Sequence, residues 1–311
     1  MRKLALIFLL VFATSKVAQA DTRSSAFSFN DPGVRASAMG GAFSALGGQP
    51  SAMYWNPATL YFQDHRSFEA SYASLYGLGL AQRTQVILGW KSVIEEPRFR
   101  NDRVVVRADR RTGPAYSVGI QSLFLDLDED SYSEIALGGG AAWGYGDRLA
   151  FGMSLRALFV NSDLDNVFAN GYDLGLGLAW SLSDRERIAV SAPHLVSRIF
   201  WKFDSTERLP QTATVGWSRQ WNFGLLTTAD IEFREDEASP YRFAVGGEWW
   251  AFPDRLALRG GYRVIRGGLE DINKPTFGAG VHFGRVGFDY SFRLGPELLG
   301  DTHRLGVLAD F

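Results

Sequence analysis

The feature that most narrows the possible folds is a period-two alternation that begins near Ser67 and runs to Phe311. Along 285–294, Val286, Phe288, Tyr290, Phe292 and Leu294 share one parity, while Arg285, Gly287, Asp289, Ser291 and Arg293 share the other. Along 255–264, Leu256, Leu258, Tyr262 and Val264 alternate with Arg255, Ala257, Arg259, Gly261 and Arg263. Successive side chains of a β-strand point to opposite faces, so each segment has one greasy face and one charged or tiny face. Gly, Asp, Asn and Pro punctuate the runs, as turns require. The pattern predicts fourteen strands, at 68–77, 81–91, 114–125, 132–144, 148–160, 170–181, 186–201, 210–219, 223–233, 240–251, 254–264, 275–284, 285–294 and 302–311. Each is long enough for a tilted membrane-crossing strand of about 9–11 residues.

A soluble sandwich alternates too; the ends of the strands separate the two cases. Every second segment finishes with an aromatic on its apolar parity: Trp90, Trp143, Trp180, Trp217, Trp249, Phe283 and Phe311. If strands run alternately up and down, these seven rings lie at one level, as in the aromatic girdle of a membrane barrel. A sandwich core gives no reason for that placement. Connections after these strands are short, such as 144–147, 182–185, 220–222 and 252–253. Those at the other end are generally longer, such as 161–169, 234–239, 265–274 and 295–301. Short turns on one side and longer loops on the other are the habit of outer-membrane barrels. The expected fold is therefore all-β: a transmembrane antiparallel β-barrel of about fourteen strands. The connection at 91–113 breaks the rule, being long and carrying Arg98, Arg100, Arg103, Arg107, Arg110 and Arg111. It reads as a solvated excursion, with an extended hairpin near 103–108 or a basic docking surface as alternatives.

Composition agrees with this class. Hydrophobic residues make up 46% of the chain, yet the longest apolar run spans only 4–13, too short for a membrane helix of about 20 residues. Lys and Arg total 32 against 34 Asp and Glu, which leaves no basic excess for a nucleic-acid partner. Cysteine is absent and histidine numbers four, so disulfides, thiolate metal sites and cysteine nucleophiles are excluded; no metal or cofactor is expected. Arg2 and Lys3, the apolar run and Ala18-Gln19-Ala20 follow the order of an export signal. The predicted organisation is a signal peptide at 1–20, an N-terminal hatch at 21–66 and a barrel at 67–311.

The hatch does not alternate. It carries Arg35-Ala36, then Met39-Gly40-Gly41-Ala42-Phe43, and later Tyr54-Trp55-Asn56-Pro57-Ala58. Its glycine pairs permit tight turns and Asn56-Pro57 marks another. These elements resemble the hatch of the FadL-type outer-membrane transporters, and more closely that of their PorV/PorQ-like relatives, although Gly48-Gln49 replaces the acidic pair usual there. The stretches Leu256-Ala-Leu-Arg-Gly-Gly-Tyr262, Pro275-Thr-Phe-Gly-Ala-Gly280 and Leu299-Gly-Asp-Thr-His-Arg304 are similar to the closing strands of that branch. The terminal Phe311 resembles the signal read by the barrel-insertion machinery of Gram-negative bacteria. The resemblance implies a plugged fourteen-stranded barrel in the outer membrane of such a cell, in contact with its lipid.

The charged parity places Glu134, Arg156, Asp173, Asp230, Glu232, Arg242, Glu248, Arg259, Arg263, Asp289, Arg293 and Arg304 inside, among small residues such as Gly138, Gly140, Gly152, Gly177, Gly246 and Gly278. Paired charges offset burial, and small residues leave room for a plug. Two functions follow from the resemblance: passage of a small hydrophobic ligand past a shifting hatch, or service as an outer-membrane partner of protein-secretion components. An enzyme is disfavoured, because the only close Ser–His pair is His65 and Ser67 at the hatch-to-barrel junction and no Gly-x-Ser-x-Gly occurs.

Overall fold

The computed structural model describes residues 22–23, 26–27, 31–75, 77, 79, 81–92, 97–100, 103–106, 113–127, 130–146, 148–163, 167–202, 205–235, 241–266, 272–295 and 300–311. The expected export signal at 1–20 lies outside them. Fourteen strands form the wall: β1 (Ser67–Leu75), β2 (Ala81–Lys91), β3 (Ala115–Leu127), β4 (Asp130–Tyr145), β5 (Leu149–Ser162), β6 (Val167–Ser183), β7 (Glu186–Trp201), β8 (Thr212–Gln220), β9 (Leu225–Arg234), β10 (Tyr241–Phe252), β11 (Leu256–Arg266), β12 (Ile272–Phe283), β13 (Val286–Arg293) and β14 (Thr302–Asp310). Each pairs antiparallel with its sequence neighbours, and β14 returns to β1 with Asp310 opposite Ser67, so the sheet closes. Closure removes the free edges an open sheet would present to a bilayer without water, although past Ser191 β7 parts from β8 and pairs instead with Thr206 and Glu207.

Alternation sorts the wall as the sequence implies. On β5, Met153, Leu155 and Phe159 face outward and Arg156, Leu158 and Val160 face the lumen. Large apolar side chains cover the outside, among them Val118, Leu137, Leu155, Phe277 and Leu305. A surface of this kind in water is an association hazard; in hydrocarbon it is a solvation match. Trp143, Trp180, Trp249, Phe283 and Phe311 lie exposed at the end with the short turns. A second set, including Tyr72, Phe124, Phe168, Phe200, Phe233 and Tyr241, rings the loop end. Two levels of interfacial aromatics define the apolar band between them.

The wall and its connections depart from the expected pattern at two places. The connection at 91–113 contains a separate two-stranded hairpin, Pro97–Arg100 with Arg103–Val106, where a plain excursion was expected. Strand β7 reads as continuous in sequence, but its register against β6 jumps between Ala192 and Val196. Pro193 has no N–H to give to the ladder, and the chain bulges there.

The hatch folds inside the barrel as two short helices, α1 (Val34–Ala38) and α2 (Ala52–Trp55), followed by a 3-10 turn at Pro57–Phe62. It joins β1 at the turn end, where the Phe311 N–H donates to the Arg66 carbonyl and brings the last residue to the start of the barrel. At the loop end, Thr22–Arg23 forms a short parallel pairing with Glu207 and Arg208. The N-terminal segment thus reaches from one mouth of the barrel to the other.

Candidate functional site

Polar groups converge in the lumen, and the hatch fills its turn-end half. Met39, Phe43, Asn56, Ala58 and Leu60 are fully buried against the wall. The fit depends on wall glycines. A Cβ at Gly152 would stand 2.2 Å from the Ala58 nitrogen, and one at Gly261 would stand 2.2 Å from the Gly40 nitrogen. A Cβ at Gly246 would lie 2.6 Å from the Met39 carbonyl, and one at Gly140 2.8 Å from Met53 Cβ. The inward glycines are sockets for the plug. Gly40 and Gly41 answer from the other side: both have positive φ, 68° and 78°, which turns the chain after α1 into contact with β10 and β11. Inward alanines at 115, 142, 150, 179 and 189 complete the seat around Tyr54, Leu60 and Tyr61.

Polar latches fix the plug in register. Arg35 on α1 donates to both oxygens of Glu248 at 2.7 Å, a bidentate pair. Arg259 donates to the same carboxylate at 2.7 Å and bridges onward to Asp289. Asp31, just ahead of α1, accepts from Arg263 at 3.0 Å and from Arg293 at 2.8 Å, while Arg304 donates to its carbonyl. Burial works against ionisation of Asp31, but Arg263, Arg293 and Arg304 outweigh it and hold its carboxyl well below the usual carboxylate range. Arg263 also donates to the Gly40 carbonyl at 2.7 Å. Asp230 accepts the backbone N–H groups of Phe43 and Ser44 at 2.9 and 2.8 Å. Asn56 caps the 3-10 turn by accepting from the Ala58 N–H, and its amide donates to the Ser44 carbonyl at 2.9 Å and the Leu178 carbonyl at 3.3 Å. Trp55 donates to the Pro32 carbonyl at 3.0 Å, tying the two halves of the hatch together.

The lumen residues expected from sequence all face inward, and most of them hold the plug or one another. Arg156 pairs with Asp173, beside His194 on the β7 bulge, and its guanidinium lies over the Tyr54 ring. Arg242 lies 3.5 Å from Glu232. Glu134 accepts from Tyr132 at 2.9 Å. Sequence reasoning missed Asp31, Glu69 and Lys91. Glu69 accepts the Ser51 N–H at 3.1 Å, and Lys91 donates to the Tyr61 carbonyl while lying 4.0 Å from its ring centre. Glu69 and Lys91 share the inward parity with other polar residues, which was the available signal. His65 and Ser67 do not form a nucleophile–base pair: the Ser67 hydroxyl donates to Asp310 at 2.6 Å and His65 is exposed.

Above the plug the lumen is two-sided. Along β9–β14 it carries Glu232, Arg242, Arg263, Arg293 and Arg304. Along β4–β7, toward the loop end, Ala136, Leu158, Val160, Ala169 and Ile199 form an apolar cluster, with buried Glu134 opposite Val160 and the Arg156–Asp173 pair on the same strands.

These features define a membrane-spanning β-barrel closed by its own N-terminal segment. The fold is shared with known transporters. The toluene transporter TbuX of Ralstonia pickettii superposes with a TM-score of 0.62 at 15% identity, over 90% of this chain and 98% of that one. A Pseudomonas aeruginosa FadL homologue gives 0.60 at 13%, over 94% and 99%, and the Pseudomonas putida toluene transporter TodX gives 0.56 at 13%, over 89% and 96%. At these identities the likeness is one of fold. No protein-family model and no curated protein matches the chain.

Proposed function

We propose that this chain is a FadL-type channel of the outer membrane of a Gram-negative-type bacterium, and that it admits small hydrophobic molecules past a hatch that shifts to let them through. The observation that carries this reading is the division of labour in the lumen. One half is closed by a plug set into glycine sockets, and toward the loop end an apolar cluster on β4–β7, interrupted by Glu134, stands opposite a charged wall on β9–β14. A diffusion pore for polar solutes has no use for an apolar cluster or a fitted stopper. Besides its packing against the wall, the plug is latched by hydrogen bonds and ion pairs, contacts that can be exchanged for others without unfolding the barrel. The shared fold with toluene transporters supports the same reading.

Expression in a Gram-negative host without such a channel tests it. The initial rate of radiolabelled toluene uptake should rise severalfold over cells carrying empty vector. Equal rates, with the barrel folded in the outer membrane, would remove the transport reading. The secretion-partner reading rests on the resemblance of the hatch motif and the terminal strands alone.

A further inference from the structure

We propose that the hairpin between β2 and β3 is a membrane-surface foot, which lies on the leaflet at the turn end of the barrel and takes anionic phospholipid headgroups as its ligand. The hairpin is a two-stranded sheet of its own, apart from the wall. Its register sets Pro97 opposite Val106, Arg98 opposite Val105, Phe99 opposite Val104 and Arg100 opposite Arg103. Opposed residues of antiparallel strands share a face, and the faces alternate along each strand. One face therefore holds Pro97, Phe99, Val104 and Val106 and is apolar throughout, while the other holds Arg98, Arg100 and Arg103 with Val105.

Two strands alone are marginal in water, so a hairpin with one wholly apolar face needs something to cover that face. Three observations make the cover lipid. First, the hairpin grows out of the membrane interface. Trp90 near the end of β2 and Tyr116 at the start of β3 share the outward parity of Leu88 and Val118, and their ring centres are 5.7 Å apart at the level of the turn-end girdle. The Ser92 N–H donates to the Pro114 carbonyl at 2.9 Å, so both arms leave the wall together. Five peptide steps separate Ser92 from Pro97, a span of about 17 Å when fully extended, which keeps the hairpin within reach of the headgroups. Second, the charge fits. The stretch 92–113 holds six arginines against Glu95, Glu96, Asp102 and Asp109, in a chain whose net charge is -2. It is basic where the molecule as a whole is acidic, and guanidinium groups match phosphate oxygens bidentately. Third, the two kinds of residue are segregated onto opposite faces. An element that lies in the plane of a membrane surface is built this way: its apolar face sinks to the start of the acyl chains and its cations stay at the level of the phosphates. An acidic protein docked on the arginines would leave Phe99 and Val104 uncovered.

The chain has no cysteine, so a single nitroxide can be placed on the full-length barrel. Val104→Cys on the apolar face and Val105→Cys on the basic face are each labelled and reconstituted in vesicles of phosphatidylcholine, alone or mixed with phosphatidylglycerol. Electron paramagnetic resonance then compares collisions with oxygen, which concentrates in the bilayer, and with a water-soluble nickel chelate. In the mixed vesicles the oxygen-to-nickel ratio should be severalfold higher at position 104 than at 105. The difference should shrink in phosphatidylcholine alone, and Arg98→Glu/Arg100→Glu/Arg103→Glu should abolish it. Heat-modifiable migration of each variant confirms that the barrel is folded. Equal ratios at the two positions in the mixed vesicles overturn the inference and leave a protein as the cover. Immersion of position 104 that ignores both phosphatidylglycerol and the triple substitution overturns the assignment of anionic headgroups. None of these readings depends on what the lumen admits, so they stand or fall apart from the transport reading.

Discussion

The carboxamide of Asn56 lies where a side chain at position 177 would begin: a Cβ on Gly177 would fall 1.9 Å from Asn56 Oδ1. That oxygen accepts the Ala58 N–H, and the amide nitrogen reaches the carbonyls of Ser44 and Leu178. One residue of the hatch is thus matched to one missing side chain of the wall. Gly177→Ala should overpack the seat at a cost of about 1–3 kcal/mol. It should raise the single-channel conductance of reconstituted barrels while the β-sheet circular dichroism is unchanged. Closed channels in this variant would show that the seat is not needed to hold the plug.

Asp31 gives the plug a pH dependence. Its folded-state pKa is depressed by Arg263, Arg293 and Arg304, so the ionised form stabilises the plugged state. That contribution is complete above the ordinary Asp pKa of about 3.9 and is lost progressively as pH falls below it. Amide protection factors in 31–47, referred to the intrinsic exchange rate at each pH, should therefore be equal at pH 7 and pH 5 and lower at pH 3. Asp31→Asn should make exchange faster at neutral pH and flatten the dependence.

Removing Arg259 takes from Asp289 the arginine it pairs with and leaves Glu248 with Arg35 alone. Glu248 and Asp289 both face it, and both it and Glu248 are almost wholly buried. Arg259→Ala should cost about 3–5 kcal/mol, the range for breaking a buried pair from one side. Arg259→Met/Asp289→Leu should recover part of that loss, since it removes the uncompensated charge. Urea titration of barrels folded into lipid vesicles reads both values.

The outer face is tested by charge. Leu155 is 55% exposed in the middle of β5 and points to lipid. Leu155→Arg should destabilise folding into vesicles by about 2–4 kcal/mol, the midplane cost on the lipid face of such barrels. The same substitution at Tyr145, 80% exposed beyond the turn-end girdle, should fall within about 1 kcal/mol. Equal penalties at the two sites would contradict the placement of the apolar band.

The wall was legible in the sequence because its two solvents differ. Lipid outside and a packed polar lumen inside impose alternation on every strand, and strands such as β2 and β11 begin or end within two residues of the expected limits. The seven terminal aromatics announced one girdle. The latches were not legible: Asp31 and Arg293 are 262 positions apart, and no local pattern pairs them. Glu248 was expected inside from its parity, yet nothing in the sequence assigned it to Arg35. The β7 bulge was signalled by Pro193 and passed over in favour of an unbroken run.

The central claim is that hydrophobic molecules pass only when the hatch moves, and a disulfide tests it directly. The chain has no cysteine, and a Cβ at Gly306 on β14 would lie 3.5 Å from Val34 Cβ on α1, within the range a disulfide spans. Val34→Cys/Gly306→Cys should form the bond in an oxidising periplasm. Oxidised cells should lose the added toluene uptake and regain it within minutes of dithiothreitol treatment. Uptake that is the same in oxidised and reduced cells, with the disulfide verified by mass spectrometry, would contradict the claim.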